Sequence, residues 1–133
     1  MYQLTDADWD WNRACGEASL RFLGGDHALN DLLIAHGYIM NGGVLHAVEC
    51  LTPNALSDAM SGYRYYGLDV IVSLLLRARL ILETNENLGL QESQLDRSYT
   101  SIIQTDSWLS QRFKAHMALN PSEYAPVLPS DRV

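Results

Sequence analysis

The sequence predicts an all-α chain, a single compact domain of about six or seven helices. Three observations carry this reading. Apolar residues recur at three- and four-residue steps along most of the chain. Helix-start chemistry precedes three of those runs, at Thr5-Asp6, Thr52-Pro53 and Thr105-Asp106. The one β-friendly run, IVSLLL, has helical pattern on both sides and no hairpin turn beside it. Connections are short, so neighbouring helices should be largely antiparallel. The helical domain is expected over residues 1–126, with 127–133 a loose tail holding Pro129.

Each element has its own warrant. Thr5 caps the first helix, with Asp6 and Asp8 favoured in its first turn by the dipole. Trp11, Ala14, Cys15, Ala18 and Phe22 extend its stripe to about Leu23, where Gly24-Gly25 ends it. Asp26 is expected to cap a second helix running to about Met40, with Leu29, Leu32, Leu33 and either Ile34 or His36 inward. Asn41-Gly42-Gly43 interrupts, and a short third helix covers roughly Val44 to Leu51. The fourth carries Leu56, Met60 and Tyr63 inward and ends at Gly67; Asp69 caps the fifth, DVIVSLLLRARLILE. That segment is apolar nearly all round, which places it centrally in the core. Its Arg77 and Arg79 point about 200° apart and need carboxylate partners or an exit to solvent. NENLGLQES reads as a loop. A sixth helix spans roughly Ser93–Ile103, with Leu95, Tyr99, Ile102 and Ile103 inward. The seventh places Leu109, Phe113 and Met117 inward and stops near Asn120-Pro121.

The formal net charge of −7 argues against direct contact with nucleic acid or an anionic membrane, since phosphate needs a positive footprint. It suits a partner whose own surface is basic. Lys114 is the sole lysine. Cys15 and Cys50 form no CxxC pair and read as buried free thiols, which fits the cytoplasm. The start, MYQLTDADWDW, lacks the basic and apolar regions of a signal peptide. The longest apolar run is too short for a membrane span and contains Arg77 and Arg79.

No motif points to catalysis, and neither a cofactor nor a metal is expected. His46 and Glu49 stand at i, i+3, but a helical di-metal site needs more carboxylates and two such motifs. GGD and NGG match no phosphate-binding glycine loop. His27, His36 and His116 are scattered. The acids say more. Asp6, Asp10 and Glu17 share one stripe of the first helix, with Asp6 and Asp10 about 6 Å apart along the axis. Such a row can imitate phosphates, although Arg13 also reads as an ion-pair partner for Asp10. In GYRYYG, Tyr63 and Tyr66 share a face and suit the core, which leaves Arg64 and Tyr65 as interface residues. One of Trp9 and Trp11 is expected at the surface. The partner-binding candidates are Asp6, Asp8, Asp10, Glu49, Asp58 and Tyr65.

Asn41-Gly42-Gly43 after a helix, followed by Tyr99, Asp106, Leu109, Phe113, Asn120-Pro121 and Tyr124 in order, resembles the bacterial DNA-mimic protein family. The likeness spans roughly residues 20–126. It departs at Val44–Val48, where that family has aromatic residues. The resemblance implies an acidic, non-catalytic, cytoplasmic protein that inhibits by covering a basic nucleic-acid-binding or catalytic surface. The partner would be a transcription regulator, the mimic reading that the resemblance favours, or, as the alternative, a toxin domain neutralised by an immunity protein. A metal-binding or enzymatic helical protein is the second alternative. A homodimer would match DNA half-sites. Asn-Gly-Gly itself reads as an architectural corner: Asn41 or Gly42 takes the left-handed position, the Asn side chain bonds the turn, and Gly43 permits close backbone approach.

Overall fold

The computed structural model describes residues 4–84 and 87–132. Seven α-helices follow in order among them: α1 (Asp6–Ala14), α2 (Gly24–Gly42), α3 (Val44–Cys50), α4 (Pro53–Tyr65), α5 (Asp69–Thr84), α6 (Leu88–Ile102) and α7 (Asp106–Leu119). Short 3₁₀ turns follow at Pro121–Glu123 and Pro129–Asp131. No described residue is in a strand, so the all-α expectation holds. No described helix is long and apolar enough to cross a membrane.

Helix α2 is the hub. It packs most extensively on α4 and also meets α1 and α3, while α5 packs on α3, α4 and α6. The α2–α4 crossing is close because α4 presents Gly62 there: a Cβ would stand 2.5 Å from the Ala28 carbonyl oxygen. Leu29, Leu32, Ala35, Ile71, Leu75, Ala78, Leu95 and Tyr99 fill the centre and are essentially inaccessible.

Local signals set most boundaries. Thr5 accepts from the Asp8 amide while Asp8 accepts from Thr5, a reciprocal capping box. Thr52 and Thr105 cap α4 and α7 through their side chains. Gly67, at φ +73°, ends α4: its amide donates to the Arg64 carbonyl and that of Leu68 donates to Tyr63, a Schellman ending. Asp69 is the first residue of α5.

The first helix is shorter than expected. It stops at Ala14 because α2 supplies a stop from a distance: the Asn30 side-chain amide donates 2.8 Å bonds to the Ala14 and Gly16 carbonyls. Residues 15–23 form a loop in which Cys15 and Ala18 are exposed. Gly24-Gly25 opens α2 instead of closing α1, and Asp26 lies inside its first turn, accepting from the Leu23 amide. At Gly25 a Cβ would meet the Tyr124 ring at 2.6 Å, so this glycine makes room for the C-terminal segment. Both cysteines are exposed free thiols, correcting the buried expectation; the loop carries Cys15 outward, and Cys50 lies on the outer side of α3. Trp9 and Trp11 are both half-buried. Helix α6 starts at Leu88, within the stretch read as loop, of which Asn85 and Glu86 lie outside the described residues. Arg77 and Arg79 pair with no carboxylate among the described residues and stand exposed.

The Asn-Gly-Gly corner is architectural, with its roles redistributed. Gly43, not Asn41 or Gly42, takes the positive φ, at +95°. The Asn41 side chain is exposed and makes no hydrogen bond among the described residues. Asp96 of α6 instead accepts from the Val44 amide at 2.8 Å and caps α3. A Cβ at Gly42 would stand 2.4 Å from the His46 ring.

Gly43→Ala should therefore destabilise the fold by about 1–3 kcal/mol, since it combines a glycine-only backbone region with a clash against the Asp96 carboxylate. Gly62→Ala should cost a similar amount by prising α2 from α4. Denaturant melts of the two variants check both; a midpoint unchanged at Gly43 would show that the corner relaxes freely.

Candidate functional site

The helix-1 acids are mostly spent inside the molecule. Asp10 is 1% exposed, so it cannot meet a partner, contrary to expectation. It is paired with the Arg13 guanidinium, which also reaches Asp26 at 2.8 Å, Asp131 at 3.4 Å and the Ala125 and Pro126 carbonyls. Asp8 is largely covered and bonds Lys114 at 2.8 Å. Asp6 is exposed but paired with Arg132. The physical reason is simple: a buried guanidinium needs acceptors on every side. The C-terminal segment, read from sequence as loose, supplies several. Asp131 accepts from Arg13, from Arg21 at 2.9 Å and from the Leu128 amide. The Ala125 amide donates to Asp26 at 2.6 Å.

Crowding shows in the acidities. Nη2 of Arg13 carries two hydrogens and faces three acceptors: Asp10, Asp26 and the Ala125 carbonyl. The second Asp10 oxygen is buried with no partner. Burial, only partly offset by Arg13, pushes the Asp10 carboxyl up to about 6. Asp131 moves the other way, held below the usual range by its backbone and Arg21 bonds.

Two hydrogen-bonded histidine–tyrosine chains run through the interior. In one, Asp106 bonds His36 Nε2 at 2.7 Å, His36 Nδ1 bonds the Tyr99 hydroxyl at 2.8 Å, and Tyr99 bonds Tyr63 at 2.7 Å. One proton pattern satisfies every member: Tyr63 donates to Tyr99, Tyr99 to Nδ1, and Nε2–H to the carboxylate. In the other, Tyr66 donates to the Gly25 carbonyl at 3.0 Å and bonds Tyr124 at 2.9 Å, and Tyr124 bonds His116 Nδ1 at 2.8 Å. Burial lowers the His116 pKa and raises those of all four tyrosines. Tyr65 packs its ring 4.6 Å from His116 with its hydroxyl buried, and burial then Glu123 push that hydroxyl up to about 12. It is thus half-buried packing and not the free anchor that the sequence suggested.

One surface left open lies on α2. Of the two inward candidates His36 is the buried one, and Ile34 is 46% exposed. Leu33, Ile34, Gly37, Tyr38 and Asn41 line a depression of about 380 Å³ along the outer face of α2. It shares Leu33, Ile34 and Gly37 with a tighter one of about 230 Å³, completed by Trp11, Ala14, Cys15, His36 and Asp106. The Cys–His–Asp grouping does not prepare a nucleophile: both His36 nitrogens are engaged, and burial and then Asp106 raise the Cys15 thiol. One flank of the strip carries Asp31, whose pKa is raised by burial and by the neighbouring Asp58. Neither acid has an ion-pair partner among the described residues, and His27 lowers the Asp31 pKa in part. The other flank carries Asp106. Of the sequence candidates only Asp58 belongs to this surface; Glu49 is exposed on α3. Asp31, Ile34 and Tyr38 were missed because three-residue spacing reads equally as an inner or an outer stripe. Among the described residues no three His, Cys, Asp or Glu side chains gather as a metal would need.

Compared with protein-family models, curated proteins and solved structures, the chain matches none. The resemblance to the DNA-mimic family thus rests on the motif positions alone.

The buried cluster makes a signed prediction. The folded state holds the Asp10 proton more tightly than the unfolded chain, with a pKa of about 6 against 3.8. Its contribution is therefore greatest below about 3.8 and is lost as pH rises to about 6. Relative to Asp10→Asn, the native chain should gain up to about 3 kcal/mol between pH 7 and pH 4. Arg13→Ala should cost about 3–5 kcal/mol at pH 7, because it strands buried carboxylates. Chemical melts of the three proteins across that range give both numbers; parallel curves for the native chain and Asp10→Asn would refute the shift.

Proposed function

We propose that this chain is a non-catalytic inhibitor that covers a basic surface of another protein, receiving it on the outer face of α2. The observation that carries the reading is Gly37. It sits in the interior of a helix, its φ is not positive, and a Cβ there would meet nothing within 4 Å. A helix-interior glycine costs roughly 1 kcal/mol relative to alanine. The other tight glycines repay that cost inside the chain, at Gly25, Gly42, Gly43 and Gly62. Gly37 does not. It forms the shared floor of two depressions flanked by Ile34 and Tyr38, where an incoming backbone could approach closely.

The surroundings suit a cationic partner. Burial and then the charge of Asp58 raise the Asp31 pKa, with His27 acting the other way, so the two carboxylates repel in the free protein, a repulsion that a guanidinium or ammonium would relieve. The resemblance to DNA-mimic proteins points the same way. Between its two versions, the apolar strip favours the immunity type, whose grip rests on buried aromatic and aliphatic anchors. A mimic would hold more through a carboxylate row, and Asp6, Asp8 and Asp10 are already paired.

The test uses the native chain as bait in a nuclease-treated lysate of its source cell, then titrates the captured partner with Ile34→Asp, Asp31→Lys, Gly37→Leu and, as control, Asp6→Lys. The first three should weaken binding at least about tenfold and the control by less than about twofold. Gly37→Ala should meanwhile raise the stability of the free protein by about 0.5–1 kcal/mol. Unchanged affinity in Ile34→Asp would remove the α2 face from consideration. Binding held in high salt to a toxin domain would select immunity, and salt-released binding to a DNA-binding regulator would select mimicry.

A further inference from the structure

We propose a second, independent site: the cleft between α5 and α6 binds the phosphate group of a small phosphate monoester. Arg77, Gln94, Arg97, Ser98 and Ser101 line a depression of about 460 Å³ there. No carboxylate lines it among the described residues. This is unusual in a chain with sixteen acids and nine basic residues. Among the described residues Arg13, Arg21, Lys114 and Arg132 hold aspartates, Arg112 donates to the Tyr66 carbonyl, and Arg64, Arg77, Arg79 and Arg97 pair with no carboxylate. Of these last, Arg77 and Arg97 line one cleft together. Each of these two stands on a helix where an acid three or four residues away could have served. At those spacings Arg77 has Ser73, Leu74, Leu80 and Ile81, and Arg97 has Ser93, Gln94, Thr100 and Ser101.

Two guanidiniums facing one cleft repel each other unless an anion joins them. A phosphate dianion fits, accepting paired N–H bonds from each fork. The Gln94 amide and the Ser98 hydroxyl add neutral donors. The Ser101 hydroxyl is already committed to the Ser98 carbonyl at 2.8 Å, so it presents lone pairs and would take a hydroxyl from the ester part. The nearest acid on α6, Asp96, is turned away to cap α3. The cleft is larger than a phosphate alone needs, and the remaining room would accept the attached organic group.

The experiment is a titration of the intact chain, at constant ionic strength, with inorganic phosphate, ribose 5-phosphate and O-phosphoserine in separate arms. It is followed by ¹H–¹⁵N NMR of the amide and arginine Nε–H signals. Saturable shifts confined to Arg77, Gln94, Arg97 and Ser98 are expected, tighter for one ester than for inorganic phosphate. Whichever ester binds tighter names the source, a sugar phosphate or a phosphorylated side chain. Arg77→Gln and Arg97→Gln should each weaken binding about tenfold, and Arg64→Gln on α4 should not change it. Both arginines are exposed, so the variants keep the fold, which their amide spectra verify. Shifts that never saturate, that appear equally at Arg64 and Arg79, or that survive in the double variant would overturn the proposal. None of these residues belongs to the α2 face, so the outcome is separate from that reading.

Discussion

The structure depends on one buried guanidinium. Arg13 joins α1, the start of α2 and the C-terminal segment through Asp10, Asp26, Asp131 and the Ala125 and Pro126 carbonyls, over the ring of Phe22 at 5.4 Å. Its consequences spread by contact. With Ala125 held to Asp26, Tyr124 is delivered onto Gly25 and against Phe113. Its hydroxyl then links His116 of α7 to Tyr66 at the end of α4, and Tyr66 closes back on the Gly25 carbonyl. One cation thereby ties together polar groups of four helices, beside the apolar packing of α2 on α4 and of Phe113 on Trp11 and Tyr124. Buried ion pairs contribute little net stability against apolar replacements. What they impose is a demand for acceptors, which Asp10, Asp26, Ala125, Pro126 and Asp131 meet at the two Nη atoms of Arg13, while its Nε is buried with no partner among the described residues.

This dependence explains what was legible in the sequence. Elements governed by neighbouring residues could be read: the caps at Thr5, Thr52 and Thr105, the stop at Gly67, and the core faces of α4 and α7 through Leu56, Tyr63, Leu109 and Phe113. Elements governed by distant residues could not. The periodic stripe from Trp11 to Phe22 is a sound helix pattern, yet Asn30 takes the carbonyls where α1 would continue, and Phe22 is buried against Arg13 and His27 instead. Gly24-Gly25 looks like a terminator because glycine usually is one; here its missing side chain serves Tyr124, a hundred residues on. The same holds at Asn41-Gly42-Gly43. The corner was readable, but its cap is Asp96.

The candidate site was legible only in kind. Net charge suggested an acidic surface, and the sequence places its densest acids on α1. Those acids are dense because they face Arg13, Lys114 and Arg132, so local density marked internal pairing and not exposure. Unpaired charge lies elsewhere, and part of it gathers where the sequence shows nothing conspicuous: Asp31 near Asp58 on one surface, Arg77 with Arg97 on another. Charge is thus sorted by partner availability in three dimensions. A formal total of −7 cannot report that sorting, because every pairing leaves the total unchanged.

Glycine gives the same argument in a sharper form, because its cost is paid whether or not anything uses the space it leaves. At Gly25 the user is a tyrosine ring, at Gly42 a histidine ring, at Gly43 a carboxylate and a left-handed backbone, at Gly62 a neighbouring helix. Each absence of a side chain is matched to a group that fills it. Gly89, near the start of α6, and Gly37 share the property of meeting nothing, but their positions differ. A glycine in a first turn disturbs little, since helix ends fray and their amides lack intrahelical partners anyway. Gly37 lies deep in the longest helix, beside two exposed apolar side chains that the core does not claim. Within the isolated chain that combination only weakens the helix and wets an apolar strip. It would become favourable if another surface occupied the strip, and this is the ground on which the proposed contact is assigned to the outer face of α2.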